Sequence, residues 1–296
     1  MENINKSISN ILEIKDLCKT YPKSGFTLNN VNMALPKGAI MGFVGENGAG
    51  KTTTINCLLQ TLVPDSGSIQ IFGQDFHDDS IWARDEIGVV YDSNCFGASL
   101  NAKSIAHVMG SVYSKWDKPL FQAYLRRFQL KEKQIIKEYS RGMTMKLSLA
   151  VALAHHPRLL IMDEATGGLD PIVRDEVLDI LLDFVQDEEH SVLLSSHITS
   201  DLDKIADYIC FIHEGNILLC ESKENLLVNY GLLRLKTAQF AQIEKEDIIA
   251  VRKHDLSIDV LVTNQKKAQK KYPDVVIDQV STEEVMLLLV KGEKPL

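Results

Sequence analysis

At 296 residues the chain is long enough for two domains, or for one large domain with a smaller appended unit. Hydrophobic residues make up 45% and charged residues 24% of the sequence, values that exclude a largely disordered chain. The formal net charge of −8 argues against a broad nucleic-acid-binding surface, so no nucleic-acid partner is expected.

The sequence shows neither a secretory signal nor a membrane span. Residues 1–10 lack a long apolar core, and no run approaches the roughly 20 apolar residues that a transmembrane helix needs. The five cysteines are scattered and contain no C-x-x-C pair, which favours a reducing compartment over a disulfide framework or a zinc site. If the protein works at a membrane, another chain has to span it.

The first predicted elements are two strands that form a hairpin. Residue alternation predicts a strand over Ile11–Cys18 and its partner over Phe26–Leu35. Tyr21 lies in the turn between them. Its ring is suited to stacking on a nucleobase and equally suited to simple packing, and its position alone leaves both interpretations open.

The strongest motif is a glycine-rich loop between a strand and a helix. An apolar run at 39–44 precedes the residues GENGAGKTT at 45–53, and a helical segment follows. In this G-x-x-x-x-G-K-T spacing, backbone N–H groups and a helix N-terminus surround phosphate oxygens. Lys51 is predicted to reach the β- and γ-phosphates, and the Thr52 hydroxyl to bind Mg²⁺. The nucleotide-binding residues predicted in the loop are Gly45, Asn47, Gly48, Ala49, Gly50, Lys51, Thr52 and Thr53.

Two adjacent carboxylates follow a later buried strand. The apolar residues 159–162 lead directly to Asp163 and Glu164, which places both acids at the carboxyl edge of a parallel sheet, where ligands bind. Asp163 is predicted to hold Mg²⁺ through water, and Glu164 to be the base for the attacking water. Partial burial and the Asp163 charge are expected to raise the pKa of Glu164, whereas a bound metal would lower it.

The remaining patterns predict an α/β fold with three additions. These are an antiparallel β subdomain, a helical insert over about 93–150 and a small C-terminal α+β appendage. A helix is also predicted over Thr144–His155, before Pro157. The appendage is expected to hold several short strands and a helix begun by the capping box of Ser281 and Glu284. We therefore expect a nucleoside-triphosphate-binding domain at 10–222 and an accessory domain at 223–296.

These motifs occur in an order that resembles the ATP-binding cassette (ABC) ATPases over about residues 10–222. The similar residues are the phosphate loop, LIMDE at 160–164, ATGGLDP at 165–171 and His197. The resemblance implies that Tyr21 stacks on adenine, that Glu164 is the catalytic glutamate and that His197 senses the γ-phosphate. It also implies that residues 167–170, ending at Asp170, cross a dimer interface. Lys51, Glu164 and His197 are accordingly the expected catalytic residues.

The family signature is matched by YSRGM at 139–143, ahead of a helix. In the family the signature serine and the helix N-terminus bind the γ-phosphate held by the opposite subunit, which makes Ser140, Arg141 and Gly142 nucleotide-binding residues in a dimer of two head-to-tail copies. Asp92 stands where the family has a glutamine that contacts Mg²⁺, and it is an expected metal ligand with Thr52 and Asp163. Arg141 replaces a glycine. Our hypothesis is that it offsets part of the charge at the composite site; the alternative is that it simply faces solvent.

The resemblance implies an ATP-hydrolysing, Mg²⁺-dependent subunit of an ABC transporter, of the bacterial export type. Such a subunit would lie at the cytoplasmic face of the cell membrane and drive separate transmembrane permease subunits. It would work as a homodimer or as a heterodimer with a related ATPase subunit. Two alternatives stay open, a soluble ABC-type ATPase acting on ribosomes or DNA, and a nucleotide-gated module that does not hydrolyse ATP.

Overall fold

A computed structural model describes residues 9–77 and 80–293 of the chain. Its strands are β1 (Asn10–Tyr21), β2 (Phe26–Pro36), β3 (Ile40–Val44), β4 (Ser66–Ile71), β5 (Gln74–Asp75), β6 (Ile87–Tyr91), β7 (Leu159–Asp163), β8 (Ser191–Ser196), β9 (Tyr208–His213), β10 (Asn216–Ser222), β11 (Tyr230–Leu235), β12 (Ile248–Lys253), β13 (Ile258–Thr263) and β14 (Ile277–Gln279). Its helices are α1 (Lys51–Leu58), α2 (Ile81–Arg84), α3 (Ala102–Val112), α4 (Lys118–Arg127), α5 (Arg141–Leu153), α6 (Pro171–Phe184), α7 (Thr199–Ile205), α8 (Lys223–Asn229), α9 (Thr237–Phe240), α10 (Gln265–Lys271) and α11 (Thr282–Lys291). Within these residues, no helix combines the length and the apolar character needed to cross a bilayer.

A six-stranded sheet with the order β10-β9-β3-β8-β7-β6 forms the centre of the fold. The pairs from β9 through β6 are parallel, and β10 closes the sheet as an antiparallel edge strand. Every residue of β3, β7 and β8 is buried, because other elements cover both faces of the sheet. The carboxyl ends of these strands therefore meet at one edge, which is where the predicted phosphate loop and acidic pair emerge.

The predicted antiparallel subdomain is a second sheet with the order β2-β1-β4-β5. Its first two strands form the expected hairpin, in which Tyr21 pairs with Phe26 beside the turn. Apolar residues of this sheet share one core with β3 and α1, including Ile14, Phe43 and Ile55. The subdomain is thereby fixed against the start of the phosphate-loop helix.

The helical insert lies between β6 and β7 and contains α3, α4 and α5. Phe121, Leu125 and Leu147 are buried together in its core. Helix α5 begins at Arg141, three residues before the predicted start at Thr144, because the Ser140 side chain accepts a hydrogen bond from the Met143 N–H and caps the helix there. The helix ends at Leu153, before Pro157, as the proline predicts.

The C-terminal part contains a third sheet with the order β12-β13-β11-β14 and the helices α8–α11. The predicted capping box is present, since Ser281 accepts from the Glu284 N–H and the Glu284 carboxylate accepts from the Ser281 N–H. Leu226, Val285 and Leu288 belong to the same buried core as the central sheet. The division at 222/223 stays a prediction, and residues 294–296 of the predicted accessory domain lie outside the described residues.

Because α11 packs into the core of the central sheet, truncating one of its buried side chains is expected to destabilise the whole chain. Leu288→Ala removes a side chain that is 3% exposed, and it should lower the free energy of unfolding by about 2–5 kcal/mol. Urea denaturation followed by circular dichroism measures this change. Leu256→Ala is the matched control, since Leu256 is 94% exposed, and it should change stability by no more than about 0.5 kcal/mol. A separate early transition for residues 223–293 alone, with the main transition unmoved, would contradict the shared core.

Candidate active site

The phosphate loop connects β3 to α1 and is held by close backbone packing. A Cβ atom on Gly45 would collide with the Ile212 carbonyl oxygen of the neighbouring strand β9. Gly50 precedes α1 with φ +116°, a conformation that side-chain-bearing residues rarely adopt. The Ala49 carbonyl accepts a hydrogen bond from the Gly215 N–H at 2.9 Å. The glycines are therefore required by the path of the loop, and the N-terminus of α1 opens into it.

Lys51 is buried, and its ammonium group is surrounded by oxygens. Nζ donates to the Gly45 carbonyl at 2.6 Å and to the Glu46 carbonyl at 3.1 Å. It also lies 2.9 Å from the Glu164 carboxylate, in an ion pair with Oε1. A phosphate oxygen entering the loop would meet this cation directly.

The two predicted acids lie at the carboxyl end of β7, as expected. Asp163 is 6% exposed, and its Oδ1 accepts a 2.6 Å hydrogen bond from the Ser195 hydroxyl. The Glu164 N–H in turn donates to Ser195, to its Oγ at 3.0 Å and to its carbonyl at 3.2 Å. These contacts hold Glu164 at φ +53°, a left-handed conformation that costs a non-glycine residue about 1–3 kcal/mol.

Glu164 lies between two basic side chains. Its Oε2 is 2.6 Å from Nδ1 of His197, and its Oε1 faces Lys51. Burial raises the pKa of Glu164, but the contacts with Lys51 and His197 outweigh burial and hold the pKa below its ordinary value. The expectation of a raised pKa for Glu164 is therefore wrong, because two basic side chains contact the same carboxylate. The sequence alone does not show these contacts.

A cavity of about 440 Å³ opens beside the loop. Tyr21 and Phe26 line it together with loop residues and Glu164. The two aromatic rings lie 6.3 Å apart, tilted by 43°. Tyr21 thus shares the cavity of the phosphate loop, a position open to a nucleobase, and it also packs on Phe26. The predicted loop residues that line the cavity are Asn47, Gly48, Gly50, Lys51, Thr52 and Thr53.

The predicted signature and dimer-crossing residues lie at the starts of α5 and α6, outside the described lining of the phosphate-loop cavity. Ser140 caps α5 and Asp170 caps α6, with Asp170 accepting from the Ile172 and Val173 N–H groups. A Cβ on Gly142 would lie 3.3 Å from Val173, so the start of α5 packs closely on α6. Among the described residues, none of these three lines the phosphate-loop cavity of its own chain.

Asp92 and Arg141 form an ion pair through Oδ1 and Nη2. The pair lies within one chain, between the loop after β6 and the first turn of α5. Arg141 is half exposed and has a carboxylate partner in its own chain. The hypothesis that it offsets charge at a composite site stays a prediction. Whether Asp92 also binds a metal stays a prediction.

The donors near the loop fit Mg²⁺. No cluster of three or more histidine, cysteine or acidic side chains suited to a metal occurs in the described part of the chain. Mg²⁺ needs no such cluster, because it keeps several waters and is bound by one or two carboxylates with substrate phosphates. The Asp163 carboxylate, fixed by Ser195, and the Thr52 hydroxyl at the cavity supply that donor set.

Ser195 is the site residue that sequence reasoning missed. It pairs in register with Asp163 across the parallel strands β7 and β8. A hydroxyl at the carboxyl end of a strand next to the acidic strand was the available signal. It identifies a candidate only once the two strands are known to be neighbours.

Comparison with known proteins relates these residues to a family. The family model described as ABC transporter matches residues 28–167. The chain is 35% identical over 213 residues to the bacitracin transport ATP-binding protein BcrA of Bacillus licheniformis, covering 71% of this chain and 69% of that one. It is also 35% identical over 224 residues to the lantibiotic transport ATP-binding protein SrtF of Streptococcus pyogenes, covering 73% and 94%.

Solved structures show the same fold. A structure described as the ATP binding subunit of an ABC transporter superimposes with a TM-score of 0.64 at 24% identity, covering 73% of this chain and 91% of that one. The predicted fold class is confirmed by this likeness.

Removing the Ser195 hydroxyl tests how the acidic pair is held. Ser195→Ala leaves the buried Asp163 Oδ1 and the Glu164 N–H with one partner fewer, which should lower the free energy of unfolding by about 1–3 kcal/mol. Urea denaturation at neutral pH measures it. The control is Ser68→Ala, an exposed strand serine, and equal effects of the two variants would contradict the assignment.

The lowered pKa of Glu164 predicts a pH dependence of stability. Ionised Glu164 stabilises the fold fully above its unfolded-state pKa of about 4.3, and this contribution is lost as the pH falls through the lower folded-state pKa. The wild type should therefore lose stability relative to Glu164→Gln as the pH drops from 6 toward 3. Urea denaturation across this range measures the shift, and a pH-independent difference would be inconsistent with the lowered pKa.

Proposed function

Since the chain belongs to the ATP-binding proteins of ABC transporters and is an ATPase, we propose that Mg²⁺ and ATP bind at the phosphate loop and that Glu164 activates the attacking water. The observation that carries the proposal is the meeting of Lys51, Asp163, Glu164 and His197 at one edge of the central sheet. The proposed phosphate-binding cation, metal-binding acid, base and its partner would then act together beside one cavity.

Nucleotide binding would change the partner of Lys51. The β- and γ-phosphate oxygens are stronger partners for the ammonium group than a single carboxylate, so they would take the place of Glu164. Tyr21 would stack on the base and the loop N–H groups would hold the phosphates. Thr52 and Asp163 would hold Mg²⁺, with Asp92 as the third proposed ligand, and the ion would neutralise charge on the phosphates.

Release from Lys51 would prepare Glu164 for catalysis. Without Lys51 beside it, Glu164 would lose one of the two contacts that hold its pKa down, so its pKa would rise and the carboxylate would become a better base. Glu164 would accept a proton from the attacking water as the bond from the γ-phosphorus to its bridging oxygen breaks. His197 would hold Glu164 on one side and reach the γ-phosphate on the other.

The positions of the signature residues support a head-to-tail dimer. Ser140, Arg141, Gly142 and Asp170 are absent from the described lining of their own chain's cavity, so a second copy or a related subunit would have to supply them. Two such chains would form two composite sites related by a twofold axis. ATP would then act as the link between the subunits, because its phosphates are bound from both sides.

A transport role needs membrane-spanning partners, and ABC ATPase subunits work with transmembrane permease subunits. The helical insert offers a surface for them: Val108 and Val112 are exposed on α3, and a cavity of about 530 Å³ between α3 and α4 includes Trp116 and Phe121. Docking there would place this chain at the cytoplasmic face of the cell membrane. The names of the relatives, which concern bacitracin and lantibiotic transport, support an exporter of amphipathic peptides over a role on ribosomes or DNA.

The dimer and the base are tested together by light scattering with and without MgATP. Glu164→Gln should bind ATP and become a dimer, with ATP hydrolysis reduced by about 10²–10⁴-fold, because the amide cannot accept the proton. The wild type should hydrolyse ATP and return to monomers. His107→Gln, a change on the helical insert, should leave turnover unchanged. Retained hydrolysis in Glu164→Gln would exclude Glu164 as the base, and an unchanged mass for both proteins would exclude a nucleotide-driven homodimer.

A further inference from the structure

The guanidinium group of Arg141 lies where three segments meet. It pairs with Asp92 in the loop after β6, and it covers the backbone of Gly168 in the loop after β7, where an added Cβ would lie 2.6 Å from Nη1. Arg141 itself is the first residue of α5. One side chain therefore contacts the start of the signature helix and both loops that leave the neighbouring strands β6 and β7.

The loop after β6 is also tied to the segment that precedes α5, since the Ile136 N–H donates to the Leu100 carbonyl at 2.9 Å and the Lys137 N–H to the Ala98 carbonyl at 3.0 Å. These bonds involve neither Asp92 nor the loop after β7. Farther along the helix, Lys146 pairs with Glu176 and Gly142 packs on Val173, and both contacts join α5 to α6. The loop after β7 is anchored at its end by the Asp170 cap of α6. Arg141 is thus the described link from α5 to Asp92 and to Gly168.

We propose that Arg141 is a positioning residue, which through its contacts with Asp92 and Gly168 fixes the signature segment relative to these two loops before a second subunit binds. The inference rests on the proposed ATP-driven dimer. Both loops and Ser140 belong to the surface that would meet the opposite subunit's nucleotide. Holding them in one arrangement reduces the conformational entropy lost when the dimer closes.

The Arg141–Asp92 ion pair can order the two loops, but it adds little to the stability of the fold. Arg141 and Asp92 are each about half exposed, at 51% and 48%, and such pairs contribute little to the stability of a fold. Variants at either position should therefore fold. The pair uses only one of the two Asp92 oxygens, so Oδ2 can still face a metal-bound water while Oδ1 holds Arg141.

The test measures the protein concentration at which MgATP converts Glu164→Gln to dimers, by light scattering. Adding Arg141→Ala should raise this concentration about tenfold, and adding Asp92→Asn should also raise it. The double change should dimerise no worse than the single variant with the larger effect, because Asp92→Asn removes the charge of the same ion pair that Arg141→Ala removes. Arg141→Lys, which keeps the charge, should recover part of the loss. Binding of a fluorescent ATP analogue to the monomer, whose described cavity lining does not include Arg141, is measured alongside so that a loss of bound nucleotide is not mistaken for a loss of dimers.

The matched control is Arg127→Ala. Arg127 pairs with Asp183 at 3.1 Å and is 52% exposed. The substitution therefore removes an ion pair of similar exposure that contacts neither loop. It should leave dimer formation unchanged. The inference would be overturned if Glu164→Gln with Arg141→Ala formed dimers at the same protein concentration as Glu164→Gln alone, or if the effects of Arg141→Ala and Asp92→Asn were additive. Either result would leave the proposed function intact. If Glu164→Gln alone stayed monomeric with MgATP, both the inference and the proposed ATP-driven dimer would be overturned.

Discussion

Strands β7 and β8 run parallel and in register, with Asp163 paired to Ser195, and β3 runs parallel beside β8, with Val44 paired to Ser196. Because the strands point the same way, the residues that follow each of them leave the sheet at the same edge. The phosphate loop follows β3, Glu164 follows β7 and His197 follows β8. Residues more than 100 positions apart in sequence are thereby brought within ion-pair distance.

The Lys51 charge at this edge is paired within the chain. Lys51 is buried, and a buried ammonium group without a partner would cost several kcal/mol, so the Glu164 carboxylate supplies the negative charge that phosphates would bring. The same carboxylate is the proposed base. Under the proposed mechanism, substrate binding would be linked to freeing the base, because the phosphates and Glu164 would compete for Lys51.

The C-terminal part is joined to the catalytic part by packing as well as by sequence. Helix α11 shares a core with the central sheet, and the Thr282 hydroxyl bonds to Asp203, which lies in α7. A cavity of about 210 Å³ between α11 and the phosphate loop is lined by Met286 and Leu289 on one side and by Gly45 and His197 on the other. Helix α11 therefore borders the phosphate loop.

The sequence by itself determined the phosphate loop between a strand and a helix, the acidic pair after a buried strand and the capped last helix. These follow from local rules: glycine spacing, apolar runs that end in acids, and a serine three residues before a glutamate. What only the tertiary structure decided are the contacts between distant residues, namely Lys51 and His197 on Glu164, Ser195 on Asp163, and Arg141 on Asp92. The order of strands in the sheet sets these contacts, and so it sets the pKa of Glu164. No local pattern encodes which strands become neighbours, because that choice minimises the free energy of the whole core.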